Sequence, residues 1–127
     1  LTRGDLEAGG IAVVEGDATR AVPAGPWGCV YLGNVSHLFG PQENRDLLAR
    51  CGREVAPGGL LAVQDILRGR SDQAARFSVL MLLGTRRGDT YAEEDYRGWM
   101  AAAGCPVERI VDVEERWHQL VVGRKAT

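Results

Sequence analysis

Short β-branched and apolar runs alternate along the chain with segments whose apolar residues recur every three or four positions. Ile11 to Glu15, closed by Gly16 and Asp17, reads as a buried strand ending in a turn. The following stretch carries Pro23, Gly25, Pro26 and Gly28 and is predicted to be loop. Cys29 to Val35 is again strand-like and apolar on both faces, as in a parallel sheet covered by helices on both sides. From Gln42 to Val55, the residues Leu47, Leu48, Cys51 and Val55 share one stripe, while Glu43, Asp46, Arg50 and Arg53 lie elsewhere, which predicts an amphipathic helix. Pro57, Gly58 and Gly59 stop it and lead into a further buried strand, Leu60 to Val63, followed by Gln64 and Asp65. Strand, helix and strand in this order predict a right-handed parallel crossover.

Ser71 to Leu83 predicts a helix whose wholly apolar last turns should lie under other structure. Thr90 with Glu93 has the spacing of a capping box; Tyr96, Trp99, Met100 and Ala103 form one face, and Gly104 stands where a helix ends in a left-handed residue. Val107 to Val113 and Trp117 to Gly123 are β-rich and separated by three residues, too few for a helical crossover, so they predict an antiparallel hairpin. The sum is an α/β layer architecture whose ligand crevice is expected beyond the carboxyl ends of the strands. No internal repeat, low-complexity tract or linker divides the 127 residues, whose number suits one domain with a core of its own.

Charge and composition narrow the function classes. Fifteen Lys plus Arg against seventeen Asp plus Glu give a net charge of -2, and no basic stripe exists to neutralise phosphates, so nucleic acid is not an expected partner. The longest apolar stretch, Val79 to Leu83, is far short of the ~20 residues that cross a bilayer, and a chain neither exported nor inserted in a membrane is expected. Cys29, Cys51 and Cys105 lack a C-x-x-C pair and metal-ligand spacing, which predicts reduced core residues, no metal site and a cytoplasmic setting. Patterns of serine hydrolases, zinc proteases, P-loop enzymes and calcium-binding EF-hands are missing.

The polar residues at strand ends are the candidates for chemistry. His37 and Asp65 follow two strands expected to be adjacent, at a lateral spacing of ~4.8 Å, so their side chains can meet. An imidazole titrating near neutrality can take a proton, and a carboxylate on its other nitrogen fixes the tautomer and raises its basicity. The plainer alternative is a histidine satisfied by backbone and an aspartate capping a turn. Asp17 can accept hydrogen bonds from a bound amine or ribose edge, or simply close an Asx turn. Phe39 can stack on a flat ligand or pack on a helix, and His118 reads as structural.

Taken in order, VVEGDATR, YLGNVSHLFGPQE, VAPGGLLAVQDIL, FSVLMLL and GDTYAEEDYRGWMAAAGC resemble the carboxyl-terminal portion of S-adenosylmethionine-dependent O-methyltransferases. The group includes plant caffeate-type enzymes and bacterial tailoring enzymes of aromatic natural products. The resemblance implies a partial Rossmann-like class I methyltransferase fold, a mostly parallel sheet with a carboxyl-terminal antiparallel hairpin. It implies that Asp17 and Ala18 contact the adenine of S-adenosylmethionine, that Phe39 stacks on it, and that His37 is the catalytic base oriented by Asp65. Met81 would belong to the substrate-pocket wall. Three departures stand out: Gly33 where plant members carry a cofactor-contacting lysine, Leu38 for the aspartate after the histidine, and Thr90 for a second acidic residue near the base.

The glycine-rich first strand-turn-helix of the family, with its ribose-binding acid, does not occur within residues 1–127. Residues 1–127 are therefore expected to form the carboxyl-terminal part of a catalytic domain, with half a cofactor site completed by a preceding segment or a complementary chain, and with a homodimer as a possible full-length state. The expected partner is a small hydroxylated, aromatic acceptor. The competing expectation is a noncatalytic, methyltransferase-like binding or partner subunit.

Overall fold

A computed structural model of the chain describes residues 2–127. A first helix, α1 (Arg3–Ala8), is held by a reciprocal cap in which the Thr2 hydroxyl accepts from Asp5 N–H and the Asp5 carboxylate accepts from Thr2 N–H. The signal T-x-x-D was present in the sequence, although no helix was expected there. Residues 9–26 form no regular element. The strand expected over Ile11 to Glu15 is therefore corrected to irregular chain: among the described residues no strand pairs with it. Its backbone is met instead by Arg3, whose guanidinium donates to Val13 O, and by a turn from Ile11 N–H to Leu6 O.

The sheet begins with β1 (Trp27–Gly33), crosses through α2 (Pro41–Glu54) and returns as β2 (Val55–Asp65). β1 and β2 are parallel, from Cys29 opposite Leu60 to Gly33 opposite Gln64. The helix starts as its sequence demands: Pro41 occupies the first turn, where no N–H partner is needed, and the Glu43 carboxylate accepts from Gly40 N–H. Leu47, Leu48 and Cys51 are buried on its inner stripe. The stop at Val55 is immediate, and the Pro57–Gly59 segment lies within β2 rather than before it.

The carboxyl-terminal hairpin forms as predicted from β5 (Val107–Val113) and β6 (His118–Arg124), but β6 lies inside the sheet. It pairs antiparallel with β2, Leu60 opposite Arg124 and Asp65 opposite Gln119, so the strand order is β1-β2-β6-β5. One parallel and two antiparallel pairings make up this sheet. Two further strands of two residues each, β3 (Leu67–Arg68) and β4 (Tyr91–Ala92), pair in parallel beyond the end of β2.

Between β3 and β4 runs α3 (Ala74–Gly84), and after β4 comes α4 (Glu93–Ala102). The cap of α4 differs from the expected one. Ala92 N–H donates to the Asp95 carboxylate, while Thr90 is drawn two residues earlier into the core. Its far end obeys the sequence: Gly104 has φ +79°, Gly104 N–H bonds Ala101 O and Cys105 N–H bonds Met100 O, the two crossed bonds of a Schellman motif. The core joins α2 and α4 to one face of β2 and β6 through Leu47, Leu48, Leu61, Val63, Tyr96, Trp99, Met100 and Val121.

Two burial expectations are corrected. Cys51 and Cys105 are buried free thiols, but Cys29 is exposed because it shares with Trp27 and Tyr31 the face of β1 turned away from the core, which takes Val30 and Leu32 instead. The last turns of α3 are uncovered, with Leu82 77% and Leu83 79% exposed, since no element of the described chain packs on that side. No helix among the described residues is long and apolar enough to cross a membrane.

Met100 fills the space between α4 and the sheet with no exposed surface. Met100→Ala is expected to lower the stability of the intact protein by about 2–5 kcal/mol through lost burial and a residual cavity, read from the urea midpoint at constant slope.

Candidate active site

The end of β1 and the end of β2 lie side by side, and the chain turns differently at each. After Gly33, Asn34 takes φ +58° while its N–H still bonds Gln64 O, which swings the chain out of the sheet and into a 3-10 turn, Ser36–Leu38. Asn44, buried in the first turn of α2, holds this turn in place: its side-chain amide donates to Ser36 O at 2.9 Å, Gly40 O at 3.1 Å and Phe39 O at 3.2 Å. The sequence pattern carried no signal for Asn44 beyond its position on the buried stripe.

The turn brings His37 over Asp65. Imidazole Nδ1 lies 2.8 Å from Asp65 Oδ1, and His37 N–H donates to Asp65 Oδ2 at 3.0 Å. Asp65 Oδ1 also accepts from Ile66 N–H at 2.8 Å. The side chains are 12% and 1% exposed respectively. Three donors converge on a buried carboxylate, so the aspartate is an acceptor on both oxygens and His37 Nδ1 carries the hydrogen. No hydrogen bond to Nε2 is found among the described residues. The edge-to-face ring of Phe77 from α3 packs against this imidazole, with centroids 4.8 Å apart at 88°.

A second grip comes from the segment entering β4. Asp89 N–H donates to His37 O at 3.1 Å, and the Tyr91 hydroxyl donates to Phe39 O. Burial, helped by the charge of Asp89, pushes the Tyr91 phenol up to about 12, so it remains a donor throughout the physiological range. Burial works to raise the Asp89 carboxyl. Hydrogen bonds from Thr90 N–H, Ser78 and Arg68, with the Arg68 charge, outweigh it and hold the group below the usual carboxylate range. Arg68 Nη2 lies 2.9 Å from Asp89 Oδ2.

The remaining candidates are dispersed. Asp17 is exposed and closes an Asx turn, its Oδ1 accepting from Thr19 N–H at 2.9 Å and Thr19 Oγ1 at 2.6 Å. Those hydrogen bonds, the hydroxyl first, lower its carboxyl below the ordinary value. Asp17 and Ala18 line one cleft of about 410 Å3 with Val14, Val22 and Pro23, and the Arg50 guanidinium ties Ala18 O to α2 at 3.0 Å. Phe39 packs partly against the core and lines a different cleft, with Leu38, Glu43, Arg86 and Arg87. Met81 is half-buried on α3. His118 pairs with the Glu114 carboxylate at 3.1 Å in the hairpin. No cluster of metal-binding side chains occurs among the described residues. Phe77 and Asp89 were missed in the sequence because an apolar helix residue and a loop aspartate carry no spacing signal toward a histidine forty or more positions earlier.

No family model matches the chain. Two curated relatives are methyltransferases of Streptomyces. The 3-hydroxy-5-methyl-1-naphthoate 3-O-methyltransferase of Streptomyces sahachiroi is 31% identical over 86 residues, which cover 65% of this chain and 25% of the relative. The 3-amino-4-hydroxybenzoate 4-O-methyltransferase of Streptomyces cremeus is 30% identical over 112 residues, 85% of this chain and 30% of the relative. Among solved structures, CalO1, a methyltransferase in calicheamicin biosynthesis in its SAH-bound form, superposes with a TM-score of 0.79 at 26% identity, over 96% of this chain and 36% of CalO1. The chain thus spans about a quarter to a third of the length of the curated relatives it matches. With a class I methyltransferase sheet and these relatives, the chain belongs to the S-adenosylmethionine-dependent O-methyltransferases.

Proposed function

We propose that residues 1–127 are the carboxyl-terminal part of a catalytic domain that transfers a methyl group to the hydroxyl of a small aromatic acceptor, with His37 as general base. The observation that carries this reading is the buried bidentate contact between Asp65 and His37. The contact orders the ring and fixes its tautomer, which is what a general base at this rim requires. The named relatives act on a hydroxynaphthoate and an aminohydroxybenzoate, both phenols, which supports an acceptor of this kind.

The residues present suit the adenine end of S-adenosylmethionine. In the cleft at Asp17 the carboxylate commits Oδ1 to Thr19 and leaves Oδ2, 3.8 Å from Arg20 Nε, to accept from an exocyclic amine. Val14, Ala18 and Val22 offer an apolar wall for a purine face. Phe39 lines a separate cleft and is not placed on this purine by the geometry, while Met81 would border the acceptor. When bound, S-adenosylmethionine supplies an electrophilic methyl group on a sulfonium centre. The remaining parts of the cofactor site and of any dimer interface belong to chain outside these residues in this reading.

In the reaction, His37 Nε2 takes the proton of the acceptor hydroxyl. Asp65 accepts the Nδ1 hydrogen, keeps the ring in that tautomer and stabilises the imidazolium that forms. A phenol titrating near ~10 is within reach of such a base. The rest of the rate enhancement is alignment of oxygen, methyl carbon and sulfur, to which the apolar residues contribute by excluding water.

Labelled S-adenosylmethionine is expected to bind the full-length protein and to transfer its label to a hydroxylated benzoate or naphthoate; absence of binding would favour the noncatalytic subunit. His37→Gln should reduce turnover about 10²- to 10⁴-fold with cofactor affinity nearly unchanged by calorimetry. Asp65→Asn, which replaces one acceptor oxygen by a donor facing His37, should reduce turnover at least about tenfold and lower the thermal midpoint as well.

A further inference from the structure

His37 has two contacts that Asp65 does not account for, one on its ring and one on its main-chain carbonyl, and both come from one continuous piece of chain. Phe77 on α3 packs edge-to-face on the ring, and Asp89, just past the end of α3, bonds the His37 carbonyl. The piece is tied to itself. The Ser78 and Thr90 hydroxyls are hydrogen-bonded, Thr90 N–H donates to Asp89 Oδ1 at 2.8 Å, and Arg68 Nη2 joins Asp89 Oδ2 to Thr90 O. Thr90 is buried. Between them, Gly88 lies so close that a Cβ there would collide with His37 O.

We propose that Phe77 and Asp89 are positioning residues for His37 in addition to Asp65: Phe77 limits rotation of the imidazole, and the Asp89 N–H, braced by the bonds of its carboxylate to Thr90 and Arg68, holds the His37 main chain. This rests on the reading of His37 as the base. Asp65 alone fixes one edge of the ring, since a bond at Nδ1 leaves the plane of the imidazole free to tilt about that contact. A flat neighbour at 88° removes that tilt, and a hydrogen bond to the carbonyl prevents the 3-10 turn from carrying the ring away as a unit. The grip also explains a departure from the family pattern. Thr90 stands where the resemblance places a second acidic residue near the base, and here it anchors Ser78 while the adjacent Asp89 takes the main-chain contact.

The test uses the full-length protein. Phe77→Leu is expected to lower kcat about tenfold through base misalignment, with KM for S-adenosylmethionine unchanged. Phe77→Tyr, which keeps an aromatic edge, should recover most of the loss, and Asp89→Ala, which keeps the N–H on His37 O but removes the carboxylate that braces it through Thr90 N–H and Arg68, should give a smaller loss of about threefold. In the His37→Gln background neither substitution should lower the residual rate further. Selective 15N-histidine labelling adds a readout independent of turnover: the His37 Nδ1–H resonance should be sharp in the native protein and shifted or broadened in both variants. A His37 resonance that does not change in folded variants would overturn the proposal, as would equal losses with and without His37. If the resonance responds while the native protein transfers no methyl group, the positioning stands and the assignment of the base falls.

Discussion

A carboxyl group with no access to water needs its oxygens met by protein partners, and Asp65 meets that requirement by drawing three contacts from two strand ends to one point. Two of the three belong to His37. The same bonds that stabilise the buried carboxyl group therefore set the height, tautomer and direction of the imidazole. If the contact were lost, the 3-10 turn after β1 would retain Asn44 and Asp89 as supports, but nothing would decide which ring nitrogen faces outward.

The contact is made possible by the register of the sheet. Gly33 is opposite Gln64, so Asp65 is the first residue of β2 beyond its pairing with β1, and the left-handed step at Asn34 gives β1 the sideways displacement it needs to bring His37 above it. On its other side, β2 is held by β6, with Asp65 opposite Gln119 and the side-chain Oε1 of Gln119 accepting from Leu67 N–H at 2.9 Å. Glutamine 119 is fully buried and spans the point where β2 gives way to β3. Both buried polar residues at this junction thus have hydrogen-bond partners, each drawing on main-chain groups and one side chain.

Much of this could be read from the residues. The α2 stripe, the Schellman end of α4 and the hairpin each follow from local rules that act within a few residues, and the His37–Asp65 pair follows from adjacency of two parallel strands. What local pattern could not supply was partnership. Ile11 to Glu15 has strand composition but no pairing strand among the described residues, and the apolar end of α3 has no cover there, because both properties depend on neighbours and not on periodicity. Thr90 shows the same limit at smaller scale: its spacing from Glu93 suits a cap, yet a hydroxyl partner on α3 and two residues of strand pairing won. Asn44 and Phe77, which hold the turn and the ring, look in sequence like ordinary helix residues.

The interior place of β6 has a consequence for biosynthesis. A strand that separates β2 from β5 must leave the ribosome before either can close its ladder, and Leu60 waits for Arg124 across more than half of these residues. Until then the exposed amides of β2 on a nascent chain are open to any competing strand, so the rim that carries the imidazole matures late, after translation has passed Arg124.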